Sequence, residues 1–231
     1  MQFVFPPQPT PSVAVKGEAA RFPVRRIFCV GRNYAAHARE MGKDPDREAP
    51  FFFTKPADAV VEDGATIPYP PLTENLHHEA ELVVAIGREG FRIARDQALD
   101  HVFGYAIGND LTRRDLQFEA RDKGRPWDWG KAFDRSAVCG PIHRVAATGH
   151  PSTGSIRLSV NGAVRQDADL AELIWSVPEI IAILSTSMRI LPGDLVYTGT
   201  PAGVGALLPG DVCEIAIDGL GSLTTTIGER E

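Results

Sequence analysis

Leu76-His77-His78-Glu79-Ala80-Glu81-Leu82-Val83-Val84-Ala85-Ile86-Gly87, followed later by Phe103-Gly104-Tyr105-Ala106-Ile107-Gly108-Asn109-Asp110-Leu111-Thr112, decides how this chain is read. In a strand, side chains at i and i+2 point to the same face. Glu79 and Glu81 then stand side by side, at the head of the apolar run Leu82 to Ile86. Like charges held that close repel, and burying them costs several kcal/mol each unless something neutralises them. A divalent cation is the simplest neutraliser. Asp110 ends a segment of the same form, apolar residues and a glycine before an acid, and can supply a third carboxylate. Hard oxygen donors without a sulfur ligand point to Mg²⁺ or Mn²⁺ rather than Zn²⁺. On an exposed strand the same Glu-x-Glu spacing would be two solvated carboxylates. The apolar run and the repeated form argue for the metal.

The rest of the chain sets bounds. Its 231 residues suit one domain with a small appendage, and the expected division is a Pro-rich lead-in over 1–22 and a catalytic domain over 23–231. Hydrophobic residues at 43% and charged residues at 23% indicate a globular chain rather than a disordered one. A net charge of −6, with no basic cluster interleaved with aromatics, argues against a nucleic-acid partner. Cys29, Cys139 and Cys213 are far apart and form no Cys-x-x-Cys, so neither a disulfide framework nor a zinc ribbon is indicated. The opening MQFVFPPQPTPSV lacks the features of a signal peptide, and no run approaches bilayer-spanning length. A cytoplasmic protein with no membrane partner is expected.

Periodicity and turn residues predict many strands and few helices. Ile27 to Val30 reads as a strand ended by Gly31. A short helix follows, with Asn33 as its N-cap and Gly42 as its stop. FFFTKPADAVV reads as a buried strand broken at Pro56, and strands are expected at 79–87 and 102–108. A helix is expected from Thr112, as its cap, to Lys123. Asn161-Gly162 marks a hairpin turn after IRLSV. Pro178 opens a helix with Ile180, Ile181, Ile183, Leu184 and Met188 on one stripe. Strands separated by Gly turns fill the C-terminal part. Strands and helices do not alternate, so the fold class is α+β, dominated by β.

Four further groups carry possible chemistry. His37 and Glu40 lie at i and i+3, within reach of each other on one helix face. A carboxylate beside an imidazole fixes its tautomer and raises its basicity, as a general base requires; the same spacing also describes a surface pair. Lys131, within WDWGKAF, can bind a carboxylate or oxyanion, or snorkel to the surface. Arg114 and Gln117 can present a cation and an amide near a metal, or be solvated helix residues. YTGTPAGVGALLPGD lacks the Gly-Lys-Ser/Thr of a P-loop and the spacing of a dinucleotide fingerprint. Its backbone N–H groups, with the Thr200 hydroxyl, can line a pocket for a small anion, or simply form turns.

Taken together, CVGRNYAAHAREMG, FFFTKPADAV, LHHEAELVVAIG, GYAIGNDLTRRDLQ, PWDWGKAFD and PGDLVYTGTPAGVG resemble the fumarylacetoacetate hydrolase family. They occur in family order over nearly the whole chain. The compact length and the GRNYAAHARE opening resemble the short acylpyruvate hydrolase branch, and PWDWGKAFD is similar to the fumarylpyruvate hydrolases within it. The resemblance implies a β-rich fold with a mixed β-roll core and a homodimer. It implies that Glu79, Glu81 and Asp110 hold Mg²⁺ or Mn²⁺ and that His37 and Glu40 activate water on a helix acting as a lid. Lys131, Arg114, Gln117, Arg32 and Thr200 match positions that contact substrate.

The expected reaction is hydrolytic cleavage of the C3–C4 bond of a 2,4-diketo acid, with fumarylpyruvate giving fumarate and pyruvate in aromatic catabolism. His37, backed by Glu40, deprotonates the attacking water. Lys131, with Gln117, stabilises the tetrahedral oxyanion. Arg32 is a candidate for the far carboxylate, since a guanidinium matches a carboxylate in a bidentate way. Two other readings stay open: an oxaloacetate-type decarboxylase or isomerase, and a non-catalytic small-acid binding protein on the same fold.

Overall fold

In the computed structural model, which describes residues 2–41 and 48–231, the Ala80–Ile86 strand runs through the middle of a large mixed sheet. On one side it pairs antiparallel with Val102–Asp110, Glu81 lying opposite Gly108. On the other it pairs antiparallel with Asp194–Tyr197, which runs parallel to Arg26–Val30. Phe52–Lys55 forms one edge. At the other end Ala137–Cys139 is followed by Val60–Glu62. A five-stranded sheet, including Ser155–Val160, Val212–Ile217 and Gly221–Arg230, covers one face.

Every residue of Ala80–Ile86 is buried because both faces of the large sheet are covered. Leu82, Val84 and Ile86, with Tyr105 and Ile107, join the core shared with the five-stranded sheet and the helix Val177–Ser187. Val83, Ala85, Ala106 and Tyr197 face the other way and pack with Val13 and Phe22 of the hairpin Ser12–Ala14/Arg21–Pro23. Each fully buried Val, Leu or Ile contributes about 1.5–3 kcal/mol. Period-two alternation carries Glu81, in step with Val83, and Asp110, in step with Ala106, to this second face. The site occupies the polar end of that smaller core. Close approach here requires Gly108: a Cβ would lie 2.5 Å from Val83 Cγ2 and 2.6 Å from the Tyr197 ring.

Most elements follow the sequence reading. The hairpin turn at Asn161-Gly162 has positive φ at both residues, 51° and 79°, as a two-residue hairpin requires. The helix Val177–Ser187 opens with the Ser176 N–H donating to Glu179 at 3.0 Å and buries Ile180, Ile181 and Leu184, while Met188 lies beyond its end. No helix among the described residues is long and apolar enough to cross a membrane.

Two caps are corrected. The first helix, α1, is Ala35–Glu40, and Asn33 does not cap it. Its buried amide donates instead to Trp175 O at 2.9 Å and Thr198 O at 2.8 Å, and accepts from Trp175 N at 2.6 Å. The next, α2, is Arg114–Asp122; Thr112 belongs to a short strand and donates to Asp110 O at 2.9 Å. At Asn33 distant partners outcompete the local cap, and at Thr112 the hydroxyl bonds the carbonyl two residues back. The stop expected at Gly42 lies outside the described residues.

Candidate metal centre and active site

Glu79 occupies the one-residue break between Leu76–His78, in a small three-stranded sheet, and Ala80–Ile86 in the large one. Its N–H donates to Asn109 Oδ1 and its carbonyl accepts from the Asp110 N–H, both at 2.9 Å. The i, i+2 parity survives the break. Oxygens of Glu79, Glu81 and Asp110 lie within 4.8 Å of one another, and all three residues are buried.

Three buried cations pair with two of these acids, Glu79 and Asp110. The Lys131 ammonium donates to Glu79 Oε2 at 2.7 Å and to Asp110 Oδ2 at 2.8 Å. Arg114 pairs with Glu79 Oε1. Lys55 Nζ lies 2.8 Å from Asp110 Oδ1, an ionic contact without hydrogen-bond geometry, and donates to Leu111 O at 3.0 Å and Lys131 O at 2.6 Å. Burial raises the Glu79 pKa, but Lys131 and Arg114 outweigh it and hold the carboxyl well below its ordinary range. Glu81 is the exception. Burial first, then Asp110 and Glu79, push its carboxyl well above the usual range, and the Gly199 N–H at 2.7 Å offsets this only in part. Three convergent hard oxygen donors, one with its charge uncompensated, fit a divalent cation such as Mg²⁺ or Mn²⁺.

His37, on α1, is buried, and its Nδ1 lies 3.0 Å from Glu40 Oε2. The Gly203 N–H donates to both Glu40 oxygens, at 3.1 and 3.2 Å. Burial raises the Glu40 pKa, yet hydrogen bonds from His37 and Gly203 and the Arg114 charge bring it below its ordinary value. An ionised Glu40 accepts a hydrogen bond from Nδ1–H and leaves Nε2 as the basic nitrogen.

One pocket gathers most of the residues singled out in the sequence. Arg32, His37, Glu79, Glu81, Arg114, Gln117, Lys131 and Thr200 line it. Asp110 stands behind Lys131 and Glu40 behind His37. Lys131 ends the short helix α3, Asp128–Lys131. Gln117 accepts from Arg114, and Thr200 Oγ1 accepts from Gln166 Nε2 at 2.8 Å. The loop after Tyr197 departs from the expected anion cradle, since the Gly199 and Gly203 N–H groups serve Glu81 and Glu40.

Two supporting residues escaped the sequence reading. Lys55 carried a signal, a lysine inside the apolar run FFFTKP. Gln166 carried none. It is fully buried, accepts from the Ala80 N–H at 3.0 Å, and donates to Pro201 O at 2.7 Å as well as to Thr200. It thereby ties the metal-site strand to the Thr200 loop.

Comparison with known proteins agrees with this layout. The family profile described as fumarylacetoacetate (FAA) hydrolase C-terminal matches residues 26–228. The fumarylpyruvate hydrolase of Ralstonia sp is 48% identical over 196 residues, covering 83% of this chain and all of that protein. The mitochondrial oxaloacetate tautomerase FAHD1 of Homo sapiens is 38% identical over 207 residues, 90% of this chain and 93% of that one. The crystal structure of fumarylpyruvate hydrolase from Pseudomonas aeruginosa, in complex with Mn²⁺ and pyruvate, superposes with a TM-score of 0.96 at 53% identity, over 99% of this chain and 100% of that one. The chain belongs to the fumarylacetoacetate hydrolase family.

Proposed function

We propose that this chain is a metal-dependent hydrolase that cleaves the C3–C4 bond of a 2,4-diketo acid, converting fumarylpyruvate to fumarate and pyruvate. The observation that carries the reading is one pocket lined by the buried acids Glu79 and Glu81, Lys131 and the imidazole of His37 with Glu40 behind it. Its likeness to the Ralstonia and Pseudomonas fumarylpyruvate hydrolases supports it, and pyruvate is the product that this cleavage yields.

Glu79, Glu81 and Asp110 would hold Mg²⁺ or Mn²⁺, which supplies Lewis-acid stabilisation of negative charge. His37 Nε2 takes a proton from water, whose oxygen adds to C4. The Lys131 ammonium, beside Gln117, stabilises the oxyanion formed there. Burial works against that ammonium, but Asp110 and Glu79 outweigh it and keep it charged. The C3–C4 electron pair then passes to C3, which takes the proton back from His37. The products are pyruvate and a carboxylic acid. Arg114 orients Glu79 and Gln117, while Arg32 and Thr200 contribute pocket wall. The protein is proposed to act as a cytoplasmic homodimer.

The similarity to oxaloacetate tautomerases favours a second reading, proton transfer at the same centre without hydrolysis. One assay separates the two. Purified protein with Mg²⁺ or Mn²⁺ is mixed with fumarylpyruvate, and loss of the enol absorbance is followed together with pyruvate and fumarate. His37→Ala is expected to lower the rate by about 10²–10⁴-fold. A wild-type rate in that variant would refute the base. No acylpyruvate turnover, with enol–keto conversion of oxaloacetate, would select the second reading.

A further inference from the structure

One face of α2 runs along the wall of the pocket. Arg114, Gln117, Phe118 and Arg121 follow at i, i+3, i+4 and i+7, the spacing that stacks side chains on one face, and all of them line the pocket. The two ends of this row differ. Arg114 is 2% exposed and committed to Glu79 and Gln117 at the metal-binding end. The Arg121 side chain is 35% exposed, with its guanidinium 4.4 Å from the Phe118 ring centroid. Its ion pair is with the neighbouring Asp122, which is 64% exposed, and a solvated pair of this kind is worth little. The Phe118 ring lays Arg121 against the pocket wall, and among the described residues its only ion pair is the solvated one with Asp122.

The distances agree with a particular ligand. Seven residues of helix place Arg121 about 10.5 Å along the axis from Arg114. An extended seven-carbon chain with a carboxylate at each end spans about 7.5 Å between its terminal carbons, from C–C bonds of about 1.5 Å. A hydrogen bond of about 2.8 Å at the far end closes most of the remainder. Phe53 and Trp127, with ring centroids 5.8 Å apart, add flat wall suited to an unsaturated acyl chain. Charge points the same way. Lys55, Lys131 and Arg114 equal the three acids in number, though none of them pairs with Glu81, so a divalent cation brings positive charge that a dianion neutralises.

Resting on the acylpyruvate reading, we propose that Arg121 receives the distal carboxylate of a dianionic 2,4-diketo diacid. It is thus the specificity-determining residue, and α2 acts as the ruler for chain length. The test uses binding rather than turnover. The affinity of the Mn²⁺-loaded and of the metal-free protein is measured by calorimetry for 2-oxoheptanedioate, which lacks the C4 carbonyl, and for 2-oxoheptanoate, its monoanionic counterpart. Wild type is expected to prefer the diacid by about tenfold to a hundredfold, the effect of one charge-assisted hydrogen-bonding partner. Arg121→Met should erase that preference and Arg121→Lys restore part of it. A preference retained in Arg121→Met, or lost only in Arg32→Met, overturns the assignment. Equal binding of both ligands by wild type overturns the ruler and leaves the hydrolase reading standing. Binding of neither overturns both.

Discussion

Lys55 lies behind the candidate site, and its removal isolates the energetics of the charged cluster. The side chain is fully buried, and its ammonium donates to Leu111 O and Lys131 O while standing 2.8 Å from Asp110 Oδ1. Lys55→Met keeps much of the volume and removes the charge. Two carbonyls then lose their donor and a carboxylate its cation inside the protein. Removing one partner of a buried ion pair costs about 3–5 kcal/mol, a large share of the about 5–15 kcal/mol that holds a typical domain together. At a urea dependence of about 3 kcal/mol/M, the unfolding midpoint should fall by about 1–2 M. The assay is urea denaturation followed by tryptophan fluorescence, with EDTA and then with Mn²⁺. Cation binding stabilises the native state by mass action. The Mn²⁺ gain should be larger in Lys55→Met than in wild type, because Asp110 regains a positive neighbour. Lys55→Gln, which keeps donors for the carbonyls but no charge, should fall between the two. A midpoint in Lys55→Met within about 0.3 M of wild type under EDTA would refute the charge-balance argument.

Two further outcomes follow from the same contacts. Glu81→Gln removes one hard anionic ligand, and Mn²⁺ affinity measured by electron paramagnetic resonance should drop by more than the about 10–100-fold typical of an outer-shell change; affinity within a factor of about ten would exclude Glu81 from the ligand set. For Asp115, burial pushes the carboxyl up, but hydrogen bonds from Thr73 and from the Glu74 and Leu116 N–H groups outweigh this and hold it below its ordinary 3.8. Its stabilising contribution is therefore fully present above the unfolded-state value and lost as pH falls through the lower folded one. The stability gap between wild type and Asp115→Asn should be constant from about pH 7 to 5 and shrink below about pH 4; a gap independent of pH would refute it.

Parity and turn chemistry made much of the fold legible. The apolar run Leu82 to Ile86, Asn161-Gly162 and the Ile180, Ile181, Leu184 stripe are local signals, each sufficient for its own element. The caps at Asn33 and Thr112 failed because other partners compete with a cap: Asn33 found carbonyls distant in sequence, and Thr112 the carbonyl ending the preceding strand. Lys55 and Gln166 were missed for a related reason. The apolar run around Lys55 hints at burial but not at a partner, and nothing adjacent in sequence marks Gln166 at all. Their roles exist only through Asp110, Lys131, Ala80 and Thr200, which other elements deliver.

By itself the sequence determined the residue types and their phase: two glutamates in step, an aspartate at the end of a second strand, and an imidazole one helical turn from a carboxylate. Those spacings are properties of a single strand or helix and need no partner. Only the tertiary structure decided the charges. Register sets Glu81 opposite Gly108, brings Asp110 beside Glu79, and places Lys131, Arg114 and Lys55 around them. Glu79 and Glu81 differ by two residues in sequence, yet one is held far below the ordinary carboxylate range and the other far above it. The physical reason is that desolvation acts on both, while the compensating cations, arriving from other parts of the chain, pair directly with Glu79 only, and Asp110 and Glu79 repel the charge on Glu81.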